Sequence, residues 1–250
     1  MYADDTVLLF SDKNEAEIEE AINHDAKMLH NWFCKNGLIL NPKQGKTEFM
    51  MFGTAAKKSK ITHQTKITVD SNEISNTKSY KYLGIQLDTS LTLNDHIQKV
   101  CKKASSRLGL LHRIRPILTT HAAVDLYKAM VQPVMTYCSI AFLTLSETNE
   151  TRFKKIEERA LKIIFGAKHK KHRVWRSFAS MRSIQCVDFI FKCLHGTAPD
   201  VFHNYFMKLE HGKSTRRNRT DLRLPKVRTE SGKKQFTTAE LKYSTLYHYI

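Results

Sequence analysis

Two adjacent carboxylates near the start of the chain have the clearest capacity for chemistry. Asp4 and Asp5 follow Tyr2 and Ala3, and an apolar run at residues 6–10 comes directly after them. Aspartate is a poor strand former, so a pair entering a strand-like run indicates a function. Carboxylate oxygens suit Mg²⁺, and two such ions can activate the attacking hydroxyl and stabilise the leaving group in phosphoryl transfer. The alternative is a polar turn, the usual meaning of an isolated Asp-Asp pair.

Clusters of cations in the C-terminal third of the chain indicate a polyanionic partner. The sequence has 41 Lys and Arg against 24 Asp and Glu, a formal net charge of +17. Such a balance favours nucleic acid first and an anionic membrane second, and an aromatic ring among the cations can stack on a base. The alternative is a solvated charged face. The candidate nucleic-acid-binding residues are Lys168, Lys170, Lys171, Arg173, Trp175, Arg176, Arg216, Arg217 and Arg219.

The first 92 residues alternate strand-like runs with one helical pattern, which predicts an α+β arrangement. Strands are expected at residues 6–10, 38–40, 47–52, 67–69 and 80–87. Between the first two, apolar residues recur at helical spacing from Ile18 to Phe33. Asp12 with Glu15 predicts a capping box at the start of this helix, and Gly37 predicts its end.

After residue 93 the pattern becomes purely helical. Four apolar stripes predict four helices, with Pro116, Gly166 and Gly196 as stops and Pro133 as a kink or an end. The fourth stripe consists of Ile184, Val187, Phe191 and Leu194. Residues 201–250 are polar and basic with weak periodicity, and they are expected to form a C-terminal extension.

Several classes of protein are disfavoured by composition. The five cysteines form no C-x-x-C pair, so neither a zinc site nor a disulfide framework is expected. No apolar run reaches the ~18 residues of a membrane-spanning helix. The first residues lack the basic region of a signal peptide. We therefore expect an intracellular protein without a membrane partner.

Several segments, taken in order, resemble the reverse transcriptases of non-LTR retrotransposons of the jockey-like or LINE type. The Tyr-x-Asp-Asp box at residues 2–5, with Ala in its second place and an apolar strand after it, is similar to the catalytic hairpin of that family. Residues 37–42 and 46–53 are similar to its next palm motif, and residues 80–85 contain its Y-L-G primer-grip signature. Residues 126–137 and 156–166 resemble helical patterns of its thumb.

The resemblance implies an RNA-directed DNA polymerase with an RNA template and a DNA primer as partners. Asp4 and Asp5 would be its Mg²⁺ ligands, Lys46 would lie near the phosphates of the incoming nucleotide, and Tyr82, Leu83 and Gly84 would shape the primer grip. Residues 1–92 would be part of the palm, residues 93–200 a helical thumb, and residues 201–250 the basic extension.

The family's site also needs a third carboxylate and the fingers, both of which precede the Tyr-x-Asp-Asp box. We therefore expect a truncated polymerase that is inactive alone. Its expected protein partner is the missing N-terminal part of the polymerase. Two alternatives stay open. One is a nucleic-acid-binding module without catalysis, and the other is an internal piece of a longer, active polyprotein.

Overall fold

The structure is a computed structural model, and it describes residues 5–41, 43, 45–54, 56, 59, 65–70, 72–142, 145–166 and 175–202. It divides into two compact units, residues 1–96 and 97–250. The first unit combines one long helix with short strands, and the described part of the second is helical. The chain therefore has the mixed α+β content that the sequence predicts.

The first helix, α1 (Glu15–Lys35), has 21 residues and ends where Gly37 adopts a φ of +69°. The predicted helix is confirmed, but the predicted cap is wrong. Asn14 is the N-cap, and its side-chain oxygen accepts the N–H of Ala16 at 3.1 Å. The Asp12 carboxylate instead accepts the N–H of Asn14 at 2.9 Å. Asn14 directly precedes the helix, so its side chain reaches the first-turn donors that Asp12 does not reach.

Six short strands of the described residues form three separate two-stranded pairs. They are β1 (Glu48–Phe49), β2 (Thr68–Val69), β3 (Asn72–Glu73), β4 (Ser75–Asn76), β5 (Ser79–Tyr82) and β6 (Ile85–Asp88). Strands β1 and β4 pair in parallel, whereas β2 with β3 and β5 with β6 are antiparallel. The predicted strand at residues 47–52 is thus shorter in the structure, and the one at 67–69 survives as β2.

Two predicted strands, residues 6–10 and 38–40, are wrong. Both segments are irregular, and only Asp5 makes an isolated bridge. The side chains of Leu9 and Ile39 are 84% and 96% exposed. A strand is held by hydrogen bonds to a neighbour, and an apolar run without one in the described part of the chain gains nothing from extended pairing.

A small core fixes α1 against β2 in the first unit. Ala26 packs with three buried aliphatic residues, Ile67, Val69 and Ile74. Two hydrogen bonds also hold α1 to the β2 segment. The Asn23 side chain donates to the Lys66 carbonyl at 3.0 Å and accepts the Thr68 N–H at 2.9 Å.

The described helices are α2 (Asn94–Ile114), α3 (Thr120–Met130), α4 (Gln132–Thr136), α5 (Glu147–Phe165) and α6 (Phe178–Leu194). Thr119, Ser146 and Ser177 cap α3, α5 and α6 through their hydroxyl groups. Pro116 lies in a 3₁₀ turn directly after α2, and Pro133 lies in the first turn of α4. The four predicted helices and their stops are confirmed, with Pro133 separating α3 from α4.

The buried face of α6 is not the one that the apolar stripe predicts. Cys186, Ile190 and Cys193 are buried, whereas Ile184 and Phe191 are 44% and 48% exposed. The buried residues and the exposed apolar residues both recur at helical spacing, so periodicity alone does not tell which face of α6 is buried. Packing against α4 and α5 buries the face with Cys186 and Ile190.

A buried ion pair also links α5 with α6. The guanidinium of Arg182, which is 5% exposed, pairs with the Glu150 carboxylate and lies 5.5 Å from the centre of the Phe153 ring. A charge buried to this extent is stable only with such partners.

Candidate functional site

Lys46 lies in an exposed turn whose shape is set by its neighbours. Gly45 has a φ of +81° and donates its N–H to the Glu48 carboxylate at 2.8 Å. The Thr47 hydroxyl donates to the Asn41 carbonyl at 2.7 Å. Left-handed backbone suits glycine, and the two hydrogen bonds close the turn on either side of Lys46. The backbone that carries this lysine is therefore ordered while its side chain faces solvent.

Tyr80 connects this turn with the hairpin and with Asp5. Its hydroxyl donates to the Lys46 carbonyl at 2.9 Å. Partial burial raises the pKa of Tyr80, and the negative charges of Glu48 and Asp5 raise it further. A charge acts in this way only from nearby, so the structure brings Asp5, Lys46 and Tyr80 into one region of the first unit.

Tyr80 and Glu48 were not among the site residues predicted from the sequence. The available signal was the period-2 spacing of Tyr80 and Tyr82, which places both side chains on one face of β5.

The described residues do not by themselves form a metal site. Asp5 is exposed, and no group of three or more His, Cys, Asp or Glu side chains suited to a metal ion occurs among them. Asp4, the other predicted ligand, lies outside the described residues. The assignment of Mg²⁺ to this site therefore rests on the family resemblance.

The Y-L-G signature forms the turn of a hairpin rather than the middle of a strand. Tyr82, the last residue of β5, pairs with Ile85, the first residue of β6, and Leu83 and Gly84 lie between them with φ values of +45° and +86°. Positive φ at both central residues defines a two-residue turn that matches the twist of paired strands. A single strand over residues 80–87 was therefore a wrong prediction, because extended backbone is incompatible with these angles.

Trp175 is half-buried and packs against other aromatic rings of the second unit. Its indole N–H donates to the Glu157 carboxylate at 2.9 Å, and its ring lies 4.5 Å from that of Tyr127 and 6.2 Å from that of Phe165. The ring and its donor therefore already have partners within the protein. The adjacent Arg176 is exposed. The other predicted nucleic-acid-binding residues, Lys168, Lys170, Lys171, Arg173, Arg216, Arg217 and Arg219, lie outside the described residues.

A basic cleft in the second unit was missed by the sequence prediction. Its volume is about 380 Å³, and it is lined by His112, Arg115, Pro116, Arg159, Lys162 and Ile163. The available signal was spacing, because His112 and Arg115 are three residues apart, as are Arg159 and Lys162. Residues at that separation share a face of a helix. The prediction relied on dense runs of Lys and Arg and so passed over these two pairs.

Within the part of the chain that the structure describes, no helix is both long and apolar enough to cross a membrane.

Comparison with known proteins gives two relatives of one kind. The chain is 27% identical over 169 residues to an RNA-directed DNA polymerase from mobile element jockey of Drosophila funebris. It is 22% identical over 175 residues to the polymerase of the same name from Drosophila melanogaster. Each match covers 66% of this chain and 18% of the relative. No protein-family model and no solved structure matches the chain. The predicted resemblance is confirmed as a similarity to RNA-directed DNA polymerases of the jockey element, a non-LTR element, over 66% of this chain.

Proposed function

We propose that this chain is part of an RNA-directed DNA polymerase, with residues 1–92 in the palm, residues 93–200 in the thumb and residues 201–250 as a basic extension. The observation that carries the proposal is the sequence relationship to the two jockey polymerases. The α+β content of the first unit and the helical content of the second support the division. The partners are an RNA template and a DNA primer paired as a hybrid.

In this proposal Asp4 and Asp5 are Mg²⁺ ligands, and Lys46 lies near the phosphates of the incoming nucleotide. The Tyr80 hydroxyl positions the Lys46 turn, and Asp5 is near enough to raise the pKa of that hydroxyl. Tyr82, Leu83 and Gly84 form the primer grip, for which a tight turn offers backbone groups in a fixed orientation. When bound, Mg²⁺ supplies charge stabilisation for phosphoryl transfer.

We further propose that the chain does not polymerise alone. Phosphoryl transfer depends on positioned charge, and the exposed Asp5 has no group of metal-binding partners among the described residues. The rest of the polymerase would supply the third carboxylate and the fingers. Relatives of which this chain matches 18% have ample length for those parts.

Primer extension on an RNA template tests the proposal. The purified 250-residue chain, with Mg²⁺ and deoxynucleotides, should give no product above that of the Asp4→Ala, Asp5→Ala double variant. Extension that the double variant abolishes would show that the chain is a complete polymerase and would overturn the claim of dependence.

A nucleic-acid-binding module without catalysis is the second candidate, and the basic cleft favours it. Binding of an RNA–DNA hybrid should then survive the double aspartate variant and weaken steeply with salt, because phosphate neutralisation releases counterions. An affinity that is unchanged between low and high salt would eliminate this candidate.

A further inference from the structure

The basic cleft lies between the end of α2 and the last turns of α5. His112 belongs to α2, and Arg115 and Pro116 belong to the 3₁₀ turn that follows it. Arg159, Lys162 and Ile163 line the opposite side from α5. Three permanent cations and an imidazole therefore surround one concave space, with Pro116 and Ile163 as its apolar walls.

The basic side chains of the cleft have no ion-pair partner in the described part of the chain, since none of the four lies within ion-pair distance of an Asp or a Glu there. Arg159 and Lys162 are exposed, so both side chains are available to an incoming group. Unpaired cations gathered in a concavity focus a positive potential and attract an anion.

The side chain of Arg115, which lines the cleft, is held in one position by hydrogen bonds. Its guanidinium donates to the Ile164 carbonyl at 2.8 and 3.1 Å, to the Leu118 carbonyl at 2.8 Å and to the Thr120 hydroxyl at 3.2 Å. These acceptors are neutral, so the positive charge remains while the side chain is fixed between the ends of α2 and α5 and the start of α3. A charge that is already ordered costs less entropy when it binds a ligand.

We propose that this cleft binds the phosphodiester backbone of a nucleic-acid strand, with Arg159 and Lys162 as the direct contacts and Arg115 as the positioned charge beneath them. Guanidinium and ammonium groups are the side chains that bind phosphate oxygens most strongly. The apolar walls allow a sugar to lie against them. The inference deepens the proposed function and rests on it, because it names the surface of the helical unit that takes the template–primer.

The matched comparison uses two double variants of α5. Arg159→Gln with Lys162→Gln removes two cations from the cleft, and Lys154→Gln with Lys155→Gln removes two exposed cations of the same helix that do not line it. Both change the net charge equally. Arg115 is left intact because its hydrogen bonds hold the fold. Circular dichroism melting of each variant establishes that it is folded at the temperature of the binding assay.

The measurement is fluorescence anisotropy of a labelled RNA–DNA hybrid at several salt concentrations. Each lost phosphate contact lowers the slope of log K against log salt by about 0.9, so the cleft variant should lose about 1.8. At about 0.1 M salt this corresponds to binding weaker by up to roughly 60-fold. The control should change the affinity only slightly. Exchange of the two cations, Arg159→Lys with Lys162→Arg, should restore most of the slope.

The outcomes separate the two proposals. Equal weakening by both double variants would overturn the cleft as a site, because it would leave only the overall charge as the cause. Wild-type protein that binds no hybrid would overturn the proposed function and the cleft together. Displacement of the hybrid by polyglutamate as readily as by unlabelled RNA would show a general polyanion site and would overturn the assignment to phosphate. Displacement by nucleic acid alone supports it, and displacement by inorganic pyrophosphate alone would point to free phosphates and overturn the assignment to a strand.

Discussion

Replacing Trp175 by Phe should destabilise the helical unit without changing nucleic-acid binding at low temperature. The indole N–H donates to the Glu157 carboxylate at 2.9 Å, and the ring packs against Tyr127 and Phe165. The variant keeps an aromatic ring at the position and removes the donor. A side chain with these contacts acts first as a packing residue, although the sequence predicts that it stacks on a base.

The magnitude follows from the contacts. A hydrogen bond to a charged group contributes ~1.5–3 kcal/mol, and the partial exposure of both residues lets water replace some of it. Each aromatic pair adds ~0.5–1.5 kcal/mol beyond burial, of which a phenyl ring keeps part. We expect a loss of about 2 kcal/mol in the free energy of unfolding, or a fall in Tm of roughly 6–8 °C for a unit of this size. Trp175→Ala should cost more, about 3 kcal/mol, because it also leaves a cavity.

Urea denaturation followed by far-ultraviolet circular dichroism measures the stability, and anisotropy with a labelled hybrid measures binding at 10 °C. A double-mutant cycle with Glu157→Gln should return a coupling of about 1 kcal/mol for the N–H to carboxylate contact. If Trp175→Phe weakened hybrid binding tenfold while leaving the unfolding free energy unchanged, the indole would be a binding residue and the packing argument would be refuted.

Three further predictions concern local features of the fold. Leu83→Asn should stabilise the β5–β6 hairpin by about 0.5–1 kcal/mol because Asn accepts the left-handed φ of +45° more readily than Leu. Gly84→Ala should destabilise the hairpin, so thermal melting should show a higher Tm for the first variant and a lower Tm for the second. Tyr127→Phe should raise the Tm or leave it unchanged, since the buried hydroxyl has no hydrogen-bond partner among the described residues; a loss above about 1 kcal/mol would mean that the hydroxyl is satisfied. For Asp88, burial raises the pKa, but the N–H groups of Thr92, Leu93 and Ser90 lower it by more, so the net pKa lies below its ordinary value. The stabilisation is therefore complete above about pH 4 and disappears as the pH falls through the lowered folded-state pKa. Asp88→Asn should remove that part of the acid dependence in urea melts at pH 7 and pH 3, and an unchanged acid dependence would contradict the assignment.

Helices were the part of the fold most open to prediction from sequence. Their apolar spacing gave the existence of each predicted helix, and Gly37, Gly166, Gly196 and the two prolines gave the position where each one stops. The buried face of α6 was not predictable in the same way. Cys186 and Ile190 recur at the same spacing as Val187 and Phe191, so only the packing of neighbouring helices decides between the faces.

Strands were harder to predict because the partner of a strand can lie far away in the sequence. Residues 6–10 have the composition of a strand, yet without a paired neighbour in the described structure they remain irregular, and residues 7–10 are exposed. The hairpin turn at Leu83 and Gly84 was hidden for a different reason. A leucine at positive φ is costly, so nothing in its type indicates a turn, and only the glycine after it does.

Sequence motifs proposed Asp5 and Lys46 as site residues, and their role stays a prediction. The Tyr80 hydroxyl, which donates to the Lys46 carbonyl and whose pKa is raised by burial and by the charges of Glu48 and Asp5, was not proposed from the sequence and follows from the fold. The basic cleft likewise depends on bringing the end of α2 against α5, which no single window of sequence contains.

RNA-templated primer extension with this chain joined to the preceding polymerase parts of a jockey relative tests the central claim most directly. The assay is run with Mg²⁺, and the relative's own sequence in place of this chain serves as the control. The account predicts DNA synthesis that the Asp4→Ala, Asp5→Ala double variant abolishes. Synthesis that persists in the double variant, or none where the control is active and the joined protein is folded, would contradict it.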